Sequence, residues 1–177
     1  MAEKGKYSNL TKIALVLVII AAIASIWVIK NNSKKALIES DQLMADFSLH
    51  ATSIDLEKLR SHGLPILIDF GADSCIPCKE MAPVLEELNK KYQGRVIIKF
   101  VDVWKYPEAA EKFPLQVIPT QFFFTAEGEP LLPEAKPPFD VNAYSRNEDG
   151  KHVFTAHQGG LTKEQLEAAF EKMGMKK

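Results

Sequence analysis

DFGADSCIPCKEM, residues 69–81, contains both cysteines of this 177-residue chain. Cys75 and Cys78 stand three positions apart with Pro77 between them, and Asp69 stands six positions before the first. A disulfide joining them closes so small a loop that it constrains the unfolded chain little, so a stabilising staple is a poor reason for the pair. A C-x-x-C can be half of a zinc site, but it then needs two more soft ligands. His152 and His157 have an acceptable spacing, yet they lie more than seventy residues away on an expected strand. Covalent haem attachment needs histidine directly after the second cysteine, where Lys79 stands. A metallochaperone that holds an ion on the two thiols alone stays open.

Dithiol–disulfide exchange explains the spacing itself. A helix that starts at the motif puts Cys75 at its N-terminus, where free N–H groups and the positive end of the dipole stabilise a thiolate. Cys78 then falls one turn later. Cys75 attacks a substrate disulfide, and Cys78 displaces the product from the mixed disulfide. Pro77 removes one N–H and fixes a backbone angle, while Ile76 offers bulk without charge. Asp69 interrupts an apolar strand, and an uncompensated buried carboxylate is costly. It is therefore the candidate proton acceptor for Cys78, with its pKa raised by burial. The plainer alternative is an edge position that meets water or a lysine.

Outward from the motif, LPILIDFG reads as a central strand buried on both faces. The helix after the cysteines places Met81, Val84, Leu85 and Leu88 on one face, carries Pro83 as an expected kink, and stops at Gly94. RVIIKFVDV is a second buried strand, YPEAAEKF a short helix, PTQFFFTAEGEP a third strand entering a turn at Glu127-Gly128, and KHVFTAHQG a fourth. Upstream, SIDLEKLRSHG is a short helix with Gly63 as its stop. TKEQLEAAFEKMG closes the chain, with Thr162 and Gln165 forming a capping box and Leu166, Ala169, Phe170 and Met173 facing inward. Strand–helix–strand units imply a parallel pair with right-handed crossovers, and the last two strands are expected to pair antiparallel. The fold class is α/β, a small mixed sheet with helices on both faces. Residues 130–150, rich in proline and turn formers, read as an insertion with one short strand around 141–145.

The first thirty residues differ in kind. Residues 13–29, IALVLVIIAAIASIWVI, form an uncharged run of 17. At about 1.5 Å per residue this reaches roughly 25 Å, near the lower limit for a bilayer. Lysines flank both ends, and Trp27 suits an interface. A cleaved signal peptide is the competing reading, but the small-residue site Ala22-Ile23-Ala24 lies inside the apolar run. The expected organisation is a cytoplasmic tail at 1–12, a transmembrane anchor at 13–30, a juxtamembrane linker at 31–52 and a folded domain at 53–177. A formal net charge of −1 gives no electrostatic case for nucleic acid.

DFGADSCIPCKEMAPVLEEL, followed by VIPTQFFF and then GGLTKEQL, closely resembles thioredoxin. The resemblance covers residues 53–174 apart from the insertion. It rests on Asp69, the Cys75/Cys78 pair, Pro83, the Ile118-Pro119-Thr120 segment and Gly159 falling in family order. It implies a three-layer fold with a central mixed sheet, and a cis-Pro119 facing the cysteines. It implies a substrate site formed by Ile76, Pro77, Ile118, Pro119, Thr120 and Gly159, with the Ile118 backbone pairing an extended substrate. The family's tryptophans at the positions of Gly71 and Ser74 are absent, as is its glycine at Ile76. Lys99 is one residue out of register with the family's lysine.

The function this implies is a membrane-anchored thiol–disulfide reductase outside the cytoplasm, similar to anchored relatives that serve cytochrome c maturation or disulfide reduction. Cys75, Cys78 and Asp69 are its catalytic residues. Its partners are protein disulfides and a membrane thiol–disulfide electron donor. It is expected to be a monomer with no metal and no cofactor beyond the Cys75–Cys78 disulfide. A disulfide oxidase or isomerase, and a redox-inert module that binds peptide or metal, stay open.

Overall fold

The computed structural model describes residues 12–15, 17, 20, 25–27, 30 and 44–176. The chain divides into two units, one ending at Met44 and one beginning at Ala45. In the first, every described residue is helical and exposed. Among the described residues no helix is long and apolar enough to cross a membrane. The rest of the expected span at 13–30, the tail at 1–11 and residues 31–43 lie outside the described residues.

The second unit is built on β1 (Ile66–Gly71), whose six residues are all buried. β1 pairs in parallel with β2 (Ile97–Asp102) on one side and antiparallel with β3 (Thr120–Phe124) on the other. β4 (Asn142–Ser145) and β5 (His152–Gln158) complete a mixed sheet in the order β2-β1-β3-β5-β4. β3 and β5 pair antiparallel, as expected. The strand anticipated around 141–145 is β4, which adds an outer strand to the sheet through β5.

Three helices cover the sheet: α1 (Leu56–Arg60), α2 (Ile76–Lys91) and α3 (Lys163–Lys172). Side chains alternate along each strand, so the sheet has two apolar faces. One face, with Leu67, Ile98 and Phe123, packs against Met81, Leu85 and Leu88 of α2 and Leu166 and Phe170 of α3. The other, with Ile68, Phe70 and Phe122, packs against Leu59 of α1 and Ala110. α2 runs through Pro83 without interruption and gives way to Gly94, whose φ of 76° is the left-handed region that glycine tolerates. α3 opens on the expected box: the Gln165 N–H donates to Thr162 Oγ1 at 3.3 Å and the Thr162 N–H donates to Gln165 Oε1 at 2.9 Å.

Two expectations change. The short helix at YPEAAEKF is a 3₁₀ turn, Pro107–Ala110, because proline opens the segment and only one turn forms before the chain leaves. The folded unit also starts earlier than residue 53. Leu49 is buried in the core, the Phe100 N–H donates to Leu49 O at 2.8 Å and the Ala51 N–H donates to Phe100 O at 2.9 Å. Residues 49–51 thus run alongside β2 as a short bridge. Lys99 Nζ donates to Ala45 O and Ser48 O at 2.8 and 2.7 Å, and Asp46 pairs with Lys58 and His62.

Phe122 is fully buried among Phe70, Phe113 and Phe154, with ring centroids 5.0–5.7 Å apart. Phe122→Ala should cost about 3–5 kcal/mol by leaving a cavity at the centre of this cluster. Denaturant unfolding checks it: the midpoint falls while the slope stays unchanged.

Candidate active site

β1 ends at Gly71 and α2 begins at Ile76, so the turn between them lies at the C-terminal end of a buried strand. Cys75 is the N-cap of α2, partly exposed, and its sulfur accepts from the Cys78 N–H at 3.4 Å. Cys78 lies one turn in and is 3% exposed. The two are joined as a disulfide with Cα atoms 5.3 Å apart. The accessible sulfur is therefore the one at the helix N-terminus, where a thiolate is stabilised. Pro77 occupies the first turn, where the missing N–H costs nothing. Ile76 projects into solvent at 71% exposure.

The turn is held from β2. Asp102, nearly buried at the end of that strand, accepts from the N–H groups of Asp73, Trp104 and Lys105 at 3.0–3.2 Å. Burial alone would raise its pKa, but these donors and the Lys105 charge hold it below the usual carboxylate range. Lys105 also pairs with Asp73. Sequence reasoning passed over Asp102. Its signal was a carboxylate ending an apolar strand.

Gly71 packs directly on the dithiol. A Cβ there would stand 2.8 Å from the Phe100 ring and 3.2 Å from Cys78 Sγ. Phe100 fills the space that a larger residue at 71 would need, a physical reason for glycine where the resemblance places tryptophan. Beside it a cavity of about 180 Å³, lined by His50, Ala72, Lys79, Glu86 and Phe100, reaches Cys78.

Asp69 is 1% exposed. It is not at an edge and no lysine meets it. In the parallel register it stands opposite Phe100, while Lys99 stands opposite Ile68 on the other face. Burial pushes the Asp69 carboxyl up to about 7, partly offset by a hydrogen bond that Gln121 Nε2 donates at 2.7 Å. Burial lowers Lys99 to about 8. Gln121, on β3 directly opposite Asp69 and fully buried, was not anticipated. Its signal was a lone amide in an otherwise aromatic strand.

The Ile118–Pro119 bond is cis, and the Gly159 N–H donates to Pro119 O at 2.9 Å, so these two expected substrate residues stand together. Gly159 has φ 118°. Thr120 belongs to the scaffold instead: it is 1% exposed and its hydroxyl donates to Val117 O at 2.7 Å. Pro77 and Gly160 share the lining of a shallow groove of about 550 Å³ between α2 and the start of α3. The two histidines weighed as metal ligands are engaged elsewhere: His152 Nε2 contacts Phe154 O and Thr155 Oγ1, and His157 Nδ1 contacts Asp140 O. Among the described residues no group of three or more His, Cys, Asp or Glu is placed to hold a metal ion.

Residues 52–135 match the thioredoxin family model. Thioredoxin 1 of Chlorobaculum tepidum is 42% identical over 66 residues, which are 37% of this chain and 65% of that protein. Thioredoxin C-2 of Corynebacterium nephridii is 47% identical over 60 residues, 34% of this chain and 56% of its own length. A thioredoxin of Staphylococcus saprophyticus is 48% identical over 65 residues, 37% and 62% respectively. The matched region therefore spans less than two thirds of each of these relatives.

The raised Asp69 pKa sets a pH dependence. With a folded value of about 7 against 3.8 for the ordinary group, the native state holds a proton that the unfolded chain has lost between those limits. Stability therefore falls as pH rises through this window, and the full penalty is present above it. Asp69→Asn should stabilise the oxidised protein at about pH 8, by on the order of 4 kcal/mol, and leave it nearly unchanged at about pH 4. Chemical unfolding at the two pH values checks both the sign and the window.

Proposed function

We propose that this chain, whose residues 52–135 match the thioredoxin family model, is a membrane-anchored protein-disulfide reductase acting outside the cytoplasm. One observation carries the redox reading: the Cys75–Cys78 disulfide sits on the N-terminus of α2, with the first sulfur accessible and the second buried. In the reduced protein the Cys75 thiolate attacks a substrate disulfide. One substrate sulfur leaves as a thiolate, and the other is held in a mixed disulfide. Cys78 gives its proton to the Asp69 carboxylate and attacks Cys75 Sγ. The Cys75–Cys78 bond forms, the bond to substrate breaks, and the second substrate thiolate leaves. Two electrons pass to the substrate. Ile76, Pro77, Ile118, Pro119 and Gly159 form the docking surface, and no bound cofactor takes part.

The apolar run at 13–29, its flanking lysines and Trp27 support a single-pass anchor at 13–30. With the domain on the outer face, its electrons come from a membrane thiol–disulfide transporter, and its substrates are extracytoplasmic disulfides such as those handled in cytochrome c maturation. Gly71, Ser74 and Ile76 in place of the family's residues support partners that differ from those of a cytoplasmic thioredoxin.

Cys78→Ser in the native host should accumulate mixed disulfides on Cys75, with a membrane protein among the adducts, and Cys75→Ser should abolish disulfide reduction. The reduction potential should lie near the about −270 mV of thioredoxin. A value close to about −120 mV, with only folding secretory proteins trapped, would make the protein an oxidase instead. For sidedness, a membrane-impermeant maleimide applied to intact, reductant-treated cells should label Cys75. Labelling only after lysis would place the domain inside.

A further inference from the structure

Asp69, Gln121 and His157 are successive in-register neighbours on β1, β3 and β5, so they form one row across the face that packs against α2. Gln121 is 0% exposed. Its Nε2 donates to Asp69 Oδ1 at 2.7 Å and lies 3.7 Å from Met81 Sδ. Its Oε1 is buried and has no hydrogen-bond partner among the described residues. A buried amide that serves only to fill the core should have both ends satisfied, since an orphaned acceptor is costly. This amide has one end on the carboxyl group and the other held free.

We propose that Gln121 is the positioning residue of the proton step: rotation about χ3 presents Nε2 to an ionised Asp69 and Oε1 to a protonated one, so the buried carboxyl group is hydrogen-bonded in both states without a cation. This rests on the reading that Asp69 takes the Cys78 proton. An amide has a donor end and an acceptor end of nearly equal shape, so the exchange needs no backbone movement. It offers both without adding a charge of its own.

The surroundings leave Gln121 this task. On β2, Phe100 faces Asp69 and Lys99 points to the opposite face, where its ammonium is taken by Ala45 O and Ser48 O. From α2, Met81 lies in this core with its sulfur 3.7 Å from Gln121 Nε2, and α3 contributes Leu166, Ala169 and Phe170. The cavity that reaches Cys78 is lined by the ionisable residues His50, Asp73, Lys79 and Glu86. At the other end of the row, His157 Nδ1 is engaged by Asp140 O, and Nε2 is the atom nearest to a Cβ built on Gly159, at 3.6 Å. The ionisable side chains nearest this row are thus the cavity residues beside Cys78 and, beyond Gln121, His157.

The test uses the full-length protein with Gln121→Met, which is nearly isosteric and has no N–H or carbonyl, and Gln121→Glu, which keeps an acceptor but adds a second acid. Asp69 is titrated directly through its carboxyl-carbon NMR shift. The pH dependence of kcat/KM for insulin disulfide reduction is measured alongside. Gln121→Met should move the Asp69 midpoint and the acid limb of the rate profile upward together by about one pH unit, a tenfold change in ionisation constant. The rate well above the midpoint should be nearly unchanged. Gln121→Glu should move the Asp69 midpoint further up and split it into two steps, as two carboxyls share one proton. Unmoved midpoints in a Gln121→Met protein with native near-UV circular dichroism overturn the proposal, and so does a uniform loss of rate at every pH. Because Asp69 is titrated directly, Gln121 is judged even if the wild-type protein reduces no insulin, a result that would sink the reductase reading alone.

Discussion

β1 is paired along both edges and covered on both faces, and all six of its residues are buried. That constraint orders the site. A strand so enclosed must leave the sheet at its C-terminal end, and the first place the chain can expose a side chain is the turn before α2. The Cys75 sulfur emerges there, at the N-terminus of α2, where a thiolate would be stabilised. The same enclosure denies Asp69 any water, so its charge depends on the few groups the sheet places beside it. A partly exposed cysteine and a buried carboxyl group thus follow from one strand, one just past its end and one in its middle.

Much of this was legible in the sequence because the informative residues break local rules. A carboxylate inside an apolar run, two cysteines at helical spacing and a proline before an aromatic strand are each conspicuous within a few residues of their neighbours. Gln121 was not legible in the same way. One glutamine in TQFFF means little until the antiparallel register sets it against a residue 52 positions earlier. The start of the folded unit was missed for the same reason, since residues 49–51 join the sheet by pairing with Phe100, a contact that no local periodicity announces. Asp102 looked like an ordinary strand-end carboxylate, and only the return of the 71–75 turn shows that it holds the site's backbone in place.

The 130–150 segment, expected as an insertion, contributes a strand to the sheet. β4 pairs with β5, Phe139 packs its ring against Phe123 and His157, and Pro138 O accepts from Gln165 in the capping box of α3. The loop is therefore tied to the strand and helix that flank Gly159. Gly159 in turn donates its N–H to Pro119 O, so the segment is linked through these elements to the cis-proline.

The close packing of Gly71 on Phe100 and Cys78 also bears on how such a site can diverge. A side chain at 71 meets an aromatic ring at 2.8 Å before it meets anything flexible. Enlargement at 71 therefore has to follow a reduction at 100, and a reduction at 100 alone opens a hole in the core beneath the dithiol. Either change alone leaves a clash or a cavity. The two positions are therefore coupled through one packed volume, so what a larger side chain at 71 costs depends on what stands at 100.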